Sequence, residues 1–259
     1  MSTLTKRELR EQRRAARRQA ERAEAARAAR RRRLWRLGAV ASGAAVAVVV
    51  AVAVSSSGSR TPSTEGAADG AQAAALFRGI PERDGVLGDP NAPLTVIEFL
   101  DLQCRFCAEA SKSTLPTLVN DYVRTGKVKL EARTLHFIGP DSTRAAQVAA
   151  AAERQGRLWP FLDVFYANQG QENSGYVTDE FLRRVATAAG VDADEALAQA
   201  DSAHAQRRLD RADAEAGRLG VDSTPTFVVS GRGRTPHLLA ADALDPQAVS
   251  AALDRELAR

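Results

Sequence analysis

Two residue types that build most metal centres and structural cross-links are scarce in this chain of 259 residues: cysteine occurs twice and histidine three times. With no third cysteine there is no bridge across a long loop, the kind that stabilises most. A zinc site needs about four ligands. Beyond the two thiols only His136, His204 and His237 are on offer, and no pair of them has ligand spacing. The chain also has no internal repeat. Metal is therefore not expected, and neither is a bound cofactor.

The two cysteines that are present stand three residues apart, as Cys104-Arg105-Phe106-Cys107. A Cys-x-x-Cys where a strand runs into a helix has the spacing of a thiol–disulfide exchange site. Leu94–Leu100 before it is apolar and β-branched, and the segment after it has helical periodicity. Residues i and i+3 face each other on a first helical turn, at a separation that suits a disulfide. Cys104 falls at the helix N-terminus, where unpaired N–H groups and the helix dipole favour an anion. The thiolate is the nucleophile, so Cys104 is expected to attack. Cys107, one turn in, is expected to be more buried and to resolve the mixed disulfide. Arg105 is expected to lower the Cys104 pKa further.

Charge is unevenly distributed. Residues 1–36 hold 14 Lys+Arg against 4 Asp+Glu, a net of +10, and the whole chain carries +4, which leaves −6 for residues 37–259. Charge alone would allow nucleic acid as the partner of this tail, but the next segment argues otherwise. Leu37–Val54 is 18 residues without a charge, about the minimum for a membrane-spanning helix. Arg30–Arg33 and Arg36 on its N-terminal side keep residues 1–36 in the cytoplasm by the positive-inside rule. A cleaved leader competes, because Ala51-Val-Ala53 resembles a cleavage signal. The long charged region and long apolar core favour an uncleaved single-pass anchor. Either way residues beyond Val54 are exported, into a compartment where disulfides persist. Residues 55–75 are rich in Ser, Gly, Thr and Ala and read as a flexible linker.

In residues 76–259 the strand Leu94–Leu100, a helix from about Cys104 to Arg124 bent at Pro116, and an alternating strand Val128–Thr134 make a β-α-β unit. Helical segments follow from about 142 to 219: Arg144–Gln155, Trp159–Ala167, Thr178–Ala189, Asp194–Ala200 and Ala203–Leu219. Trp159, Phe161, Phe165 and Tyr166 have helical spacing and are expected to pack this insert, with the lining of a peptide groove as the alternative for some of them. His136, before a Gly-Pro turn, reads as structural. After Thr224-Pro225 comes a short strand within Val221–Ser230. His237–Ala240 is expected to pair with it, and Asp245–Leu257 closes the chain as a helix with Pro246 in its first turn.

This order resembles the thioredoxin fold, an α/β fold, here with a helical insertion between its halves and one transmembrane helix before it. The insertion narrows the resemblance to the DsbA-like thiol–disulfide oxidoreductases, of the membrane-anchored Gram-positive and actinobacterial kind. The resemblance covers about residues 76–258. Its most specific parts are the cysteine motif, Gly220-Val-Asp-Ser-Thr-Pro-Thr-Phe227 and Gln155-Gly-Arg-Leu-Trp-Pro-Phe161. It implies Cys104 as nucleophile, Cys107 as resolving cysteine, and Thr224-Pro225 as the loop whose proline is cis and lies against the active disulfide. It implies Glu98 as a buried acid beneath the site, a proton relay for Cys107. Asp101 is the competing acid, or else a charge at the helix N-terminus. Arg105-Phe106 differs from the Pro-His of well-known oxidases and the Gly-Pro of thioredoxin, and this dipeptide tunes the thiolate. Thr before the proline also occurs in isomerases and reductases of the superfamily.

The reading is an extracytoplasmic enzyme of the cell membrane that introduces disulfides into exported proteins with free thiols. Its implied redox partner is a membrane protein of the DsbB or VKOR type, and nucleic acid is not expected as a partner. A reductase or isomerase using the same pair, and a non-catalytic tethered binding module, are the alternatives.

Overall fold

A computed structural model describes residues 64–259 apart from Arg232. The basic tail 1–36, the apolar stretch 37–54 and residues 55–63 lie outside the described residues. Among those described, no helix is long and apolar enough to cross a membrane.

The first element corrects the expected linker. Helix α1 spans Thr64–Phe77, so regular structure is present at least twelve residues before the expected boundary at 76. Its sequence holds six alanines, the strongest helix formers. Ala73 and Phe77, one turn apart, are buried in the core. A Ser/Gly/Thr/Ala composition thus serves a packed helix as readily as a linker.

Six strands form one sheet: β1 (Glu82–Arg83), β2 (Val86–Leu87), β3 (Leu94–Asp101), β4 (Val128–Leu135), β5 (Thr226–Gly231) and β6 (Arg234–Leu238). Their order is β1-β2-β4-β3-β5-β6, with β3 and β4 parallel and every other pair antiparallel. β3 is central, and all eight of its residues are buried. Successive side chains on a strand point to opposite faces. Ile97 and Phe99 join one cluster with Ala212 and Ala216, whereas Leu94, Val96 and Leu100 join the larger core on the other face, with Cys107. Glu98 shares the parity of Val96 and Leu100. It therefore faces the cysteine helix from the middle of the sheet, between Ala132 of β4 and Phe227 of β5.

Helix α2 (Arg105–Ser113) carries the motif. It breaks at Thr114, resumes as α3 (Leu115–Thr117) and loosens into a π-helical stretch, Leu118–Val123. Pro116 has no N–H to donate to the preceding turn, and buried Thr114 turns its hydroxyl to Ala243 O at 2.8 Å. The insert consists of α4 (Pro140–Arg154), α5 (Leu158–Ala167), α6 (Asp179–Ala188), α7 (Ala193–Ala198) and α8 (Ala203–Leu219). α4 starts four residues before the expected Arg144 because Pro140, with its fixed φ, suits a first helical turn. Thr178 caps α6 and Ser202 caps α8, each accepting an N–H from the third residue on. α8 ends on Gly220 in the left-handed conformation. It packs on β4 and α4. Trp159, Phe161, Phe165 and Tyr166 are all buried. Helix α9 (Pro246–Leu257) closes the fold, with Asp245 capping two N–H groups.

Candidate active site

β3 delivers the motif. At its last residue, Asp101, the chain turns, and Cys104 N donates back to Asp101 O at 2.9 Å. The Asp101 carboxylate is fully buried and accepts from Ser142 Oγ at 2.6 Å, Gln103 N at 2.8 Å and Ile138 N at 3.3 Å. Burial pushes its pKa up, while those three donors pull it back. Asp101 therefore ties the motif to the start of α4, and its lone pairs are engaged in that structural task.

Cys104 is the N-cap of α2, and Cys107 lies in its first turn. Both are free thiols. Cys104 keeps 7% of its surface and Cys107 none. The two are driven apart in acidity. A hydrogen bond from the Cys107 thiol pulls Cys104 down to about 6, helped by the Thr224 side chain and the N–H groups of Cys107 and Phe106, and opposed by burial. Cys107 is pushed well up by burial first, then by Cys104 as hydrogen-bond partner and charge, and by the charge of Glu98. The nucleophile and the resolving thiol are thus distinguished by environment.

The Thr224–Pro225 peptide is cis. It sets the Thr224 carbonyl 3.3 Å from Cys104 Sγ, which donates to it as a thiol. Glu98 is 6% exposed, and burial alone raises its carboxyl to about 8. Its charge is felt by Cys107 and by the buried phenol of Tyr166. An edge position facing solvent is excluded by the sheet order.

Arg105, beside Cys104 in the motif, packs on its other neighbour. Its guanidinium lies over the Phe106 ring, 4.9 Å from the centroid, and the groups that chiefly set the Cys104 acidity are the Cys107 thiol, Thr224 and two backbone amides. The ring it covers is 45% exposed and opens onto a groove of about 390 Å³ lined by Pro225, Phe227, Leu238 and Leu239 among others. His136 is partnered on both ring nitrogens, by Thr143 Oγ1 at 3.3 Å and Asp213 at 3.2 Å, as a structural histidine is. Among the described residues no cluster of His, Cys, Asp or Glu is arranged to hold a metal ion.

Sequence reasoning missed the contribution of the insert. Tyr166 Oη donates to Asp101 O at 3.1 Å, and Gln169 Nε2 donates to Leu102 O at 2.7 Å and Cys104 O at 3.2 Å. Gln103 pairs with Tyr176 Oη and Asn173 N, both at 3.0 Å. The aromatic spacing of α5 marked Tyr166 as core but gave no sign of its polar end, and nothing near Gln169 in the chain announces a role.

The family model described as Thioredoxin matches residues 82–255. The probable disulfide bond formation protein D of Bacillus cereus is 28% identical over 175 residues, covering 66% of this chain and 77% of that protein. A thioredoxin-like oxidoreductase from Silicibacter pomeroyi DSS-3 is 26% identical, with a TM-score of 0.54 over 72% of this chain and 98% of its own. Oxidised BdbD from Bacillus subtilis, 22% identical, shares the fold with a TM-score of 0.59 over 70% of this chain and 97% of its own.

Proposed function

The chain belongs to the thioredoxin family and is a DsbA-like thiol–disulfide oxidoreductase, and we propose that it works outside the cytoplasm as a donor of disulfides to exported proteins. The observation that carries the oxidising direction is the split between the two thiols. A thiolate held at about 6 stabilises the dithiol form, and a disulfide whose reduced form is stabilised is a strong oxidant.

In the oxidised enzyme a substrate thiolate attacks Cys104 Sγ. The Cys104–Cys107 bond breaks, and Cys107 leaves with the electron pair and takes a proton. Glu98, neutral at pH 7 because its carboxyl titrates at about 8, supplies it. A second substrate thiolate then attacks the substrate sulfur of the mixed disulfide, and Cys104 departs as a thiolate cradled by the N–H groups of Phe106 and Cys107 and by Thr224. The substrate has lost two electrons, which pass from the dithiol to a membrane partner of the DsbB or VKOR type. The groove beside Phe106, with Pro225 in its wall, offers the substrate a bed of mixed character, apolar at Phe106, Phe227 and Leu238 and polar at Thr226 and Asp242. The Thr224 loop offers it backbone for short strand pairing.

Equilibration with glutathione tests this. The expected potential is well above that of thioredoxin, on the order of −200 mV or higher against about −270 mV. A value near thioredoxin's turns the reading to a reductase. A Cys107→Ser variant is expected to accumulate mixed disulfides through Cys104. If it accumulates none, the chain is a binding module instead.

A further inference from the structure

The turn that presents the nucleophile is gripped from outside the thioredoxin core, by the C-terminal end of α5 and the loop after it. Tyr166 holds Asp101 O, Gln103 is held by Tyr176 and Asn173, and Gln169 holds both Leu102 O and Cys104 O. Among the described residues, Gln169 is the one whose side chain donates to the backbone of Cys104 itself.

That carbonyl has further donors. Cys104 O also accepts from Cys107 N at 3.1 Å and Ala108 N at 3.2 Å. The Cys107 N–H is therefore divided between two acceptors of the same residue, the carbonyl oxygen and Sγ, and its share toward Sγ favours the thiolate. A carbonyl already engaged by a side-chain amide competes less for that N–H. The Gln169 amide also turns its positive end toward the turn where negative charge develops, a fixed dipole that needs no reorganisation.

We propose that Gln169 is a positioning residue for the exchange reaction: by holding the Leu102 and Cys104 carbonyls, it keeps the first N–H groups of α2 aimed at Cys104 Sγ. This rests on the reading of Cys104 as the exchanging sulfur. The groups that act on this pair of thiols are Glu98 and Asp101 from β3, Tyr166 from α5 and Thr224 from the loop before β5, while Arg105 on α2 turns its guanidinium over the Phe106 ring. Gln169 carries no charge, so replacing it leaves all of these in place and isolates the amide.

The test is a titration of thiolate absorbance in the full chain, purified in detergent, with alkylation rates read alongside. In Gln169→Leu the Cys104 midpoint is expected to rise by about half to one unit, which leaves three- to tenfold less thiolate at any pH below the midpoint. Gln169→Glu, which sets a carboxylate against two carbonyls, is expected to raise it further. A purely structural role would lower the melting temperature and leave the midpoint where it was, and that result overturns the proposal. Should both variants fail to fold, the wild-type protein decides. The Gln169 side-chain amide resonances are expected to move through the Cys104 midpoint in a nitrogen-15 NMR titration, and resonances that stay still overturn it too. A wild-type Cys104 inert toward oxidised glutathione would defeat the functional reading instead. A reactive wild type with unmoved variants defeats the positioning role alone.

Discussion

Glu98 is maintained at a cost. Its carboxyl titrates at about 8 in the folded protein, against a reference of 4.5. The unfolded chain releases this proton first as pH rises, so stability falls from about pH 4.5 and the loss is complete above about pH 8. Glu98→Gln removes the penalty. It is expected to stabilise the protein by about 2–4 kcal/mol at pH 8 and by almost nothing at pH 4, read by urea unfolding at both. The same change removes a transferable proton, so release of Cys107 is expected to slow by about a hundredfold in stopped-flow exchange. Cys104 has the opposite sign. Its pKa is depressed, from 9.0 to about 6, so the reduced form gains stability relative to the oxidised form as pH rises from about 6 to 9. That gain is lost below pH 6. Melting temperatures of the two forms across this window check it, and a gap that does not vary with pH would refute the assignment of the thiolate to Cys104.

Helices and strands whose signals are local were legible. Ala203–Leu219 lies between a serine cap and a glycine stop, and β3, with five apolar residues among its eight, stands between a Pro-rich turn and the motif. What escaped was decided by partners far away in the chain. α1 reads as linker by composition and becomes helix because Ala73 and Phe77 find a core to enter. The expected pairing of His237–Ala240 with β5 holds at His237, Leu238 and Leu239, but the strand starts earlier, at Arg234, across an irregularity between Val229 and Gly231. The α1 interface has its own test. Gly70 on α1 lies so close to α6 that a methyl group there would sit 2.5 Å from Ala188 O. Gly70→Ala raises helix propensity yet is expected to destabilise the protein by about 1–3 kcal/mol, since backbone cannot yield as a side-chain tip can. A thermal melt that rises instead would show α1 detached from α6.

Across the whole molecule, the two cysteines were legible from their spacing, whereas Glu98 and the Thr-Pro pair were legible only through the family resemblance of the segments that hold them. The grip of Gln169 on Cys104 joins residues 65 apart, and no spacing rule reaches that far. The compartment is tested directly: in intact cells, Cys104 of a Cys107→Ser variant is expected to react with a maleimide that cannot cross membranes. Protection until lysis would place the domain in the cytosol. The sheet's outer border bears on how such an enzyme handles its clients. Strand β6 is the last in the order β1-β2-β4-β3-β5-β6, and nothing pairs with its far side among the described residues. Nascent chains rich in unpaired β-segments would add to a bare border of this kind and seed aggregates. Pro236, in the middle of β6, has no N–H to offer, and the shifted register beside it spoils the template. Visitors are turned away from this rim, which is consistent with the proposal that a foreign strand docks at the loop of Thr224, within reach of the sulfur.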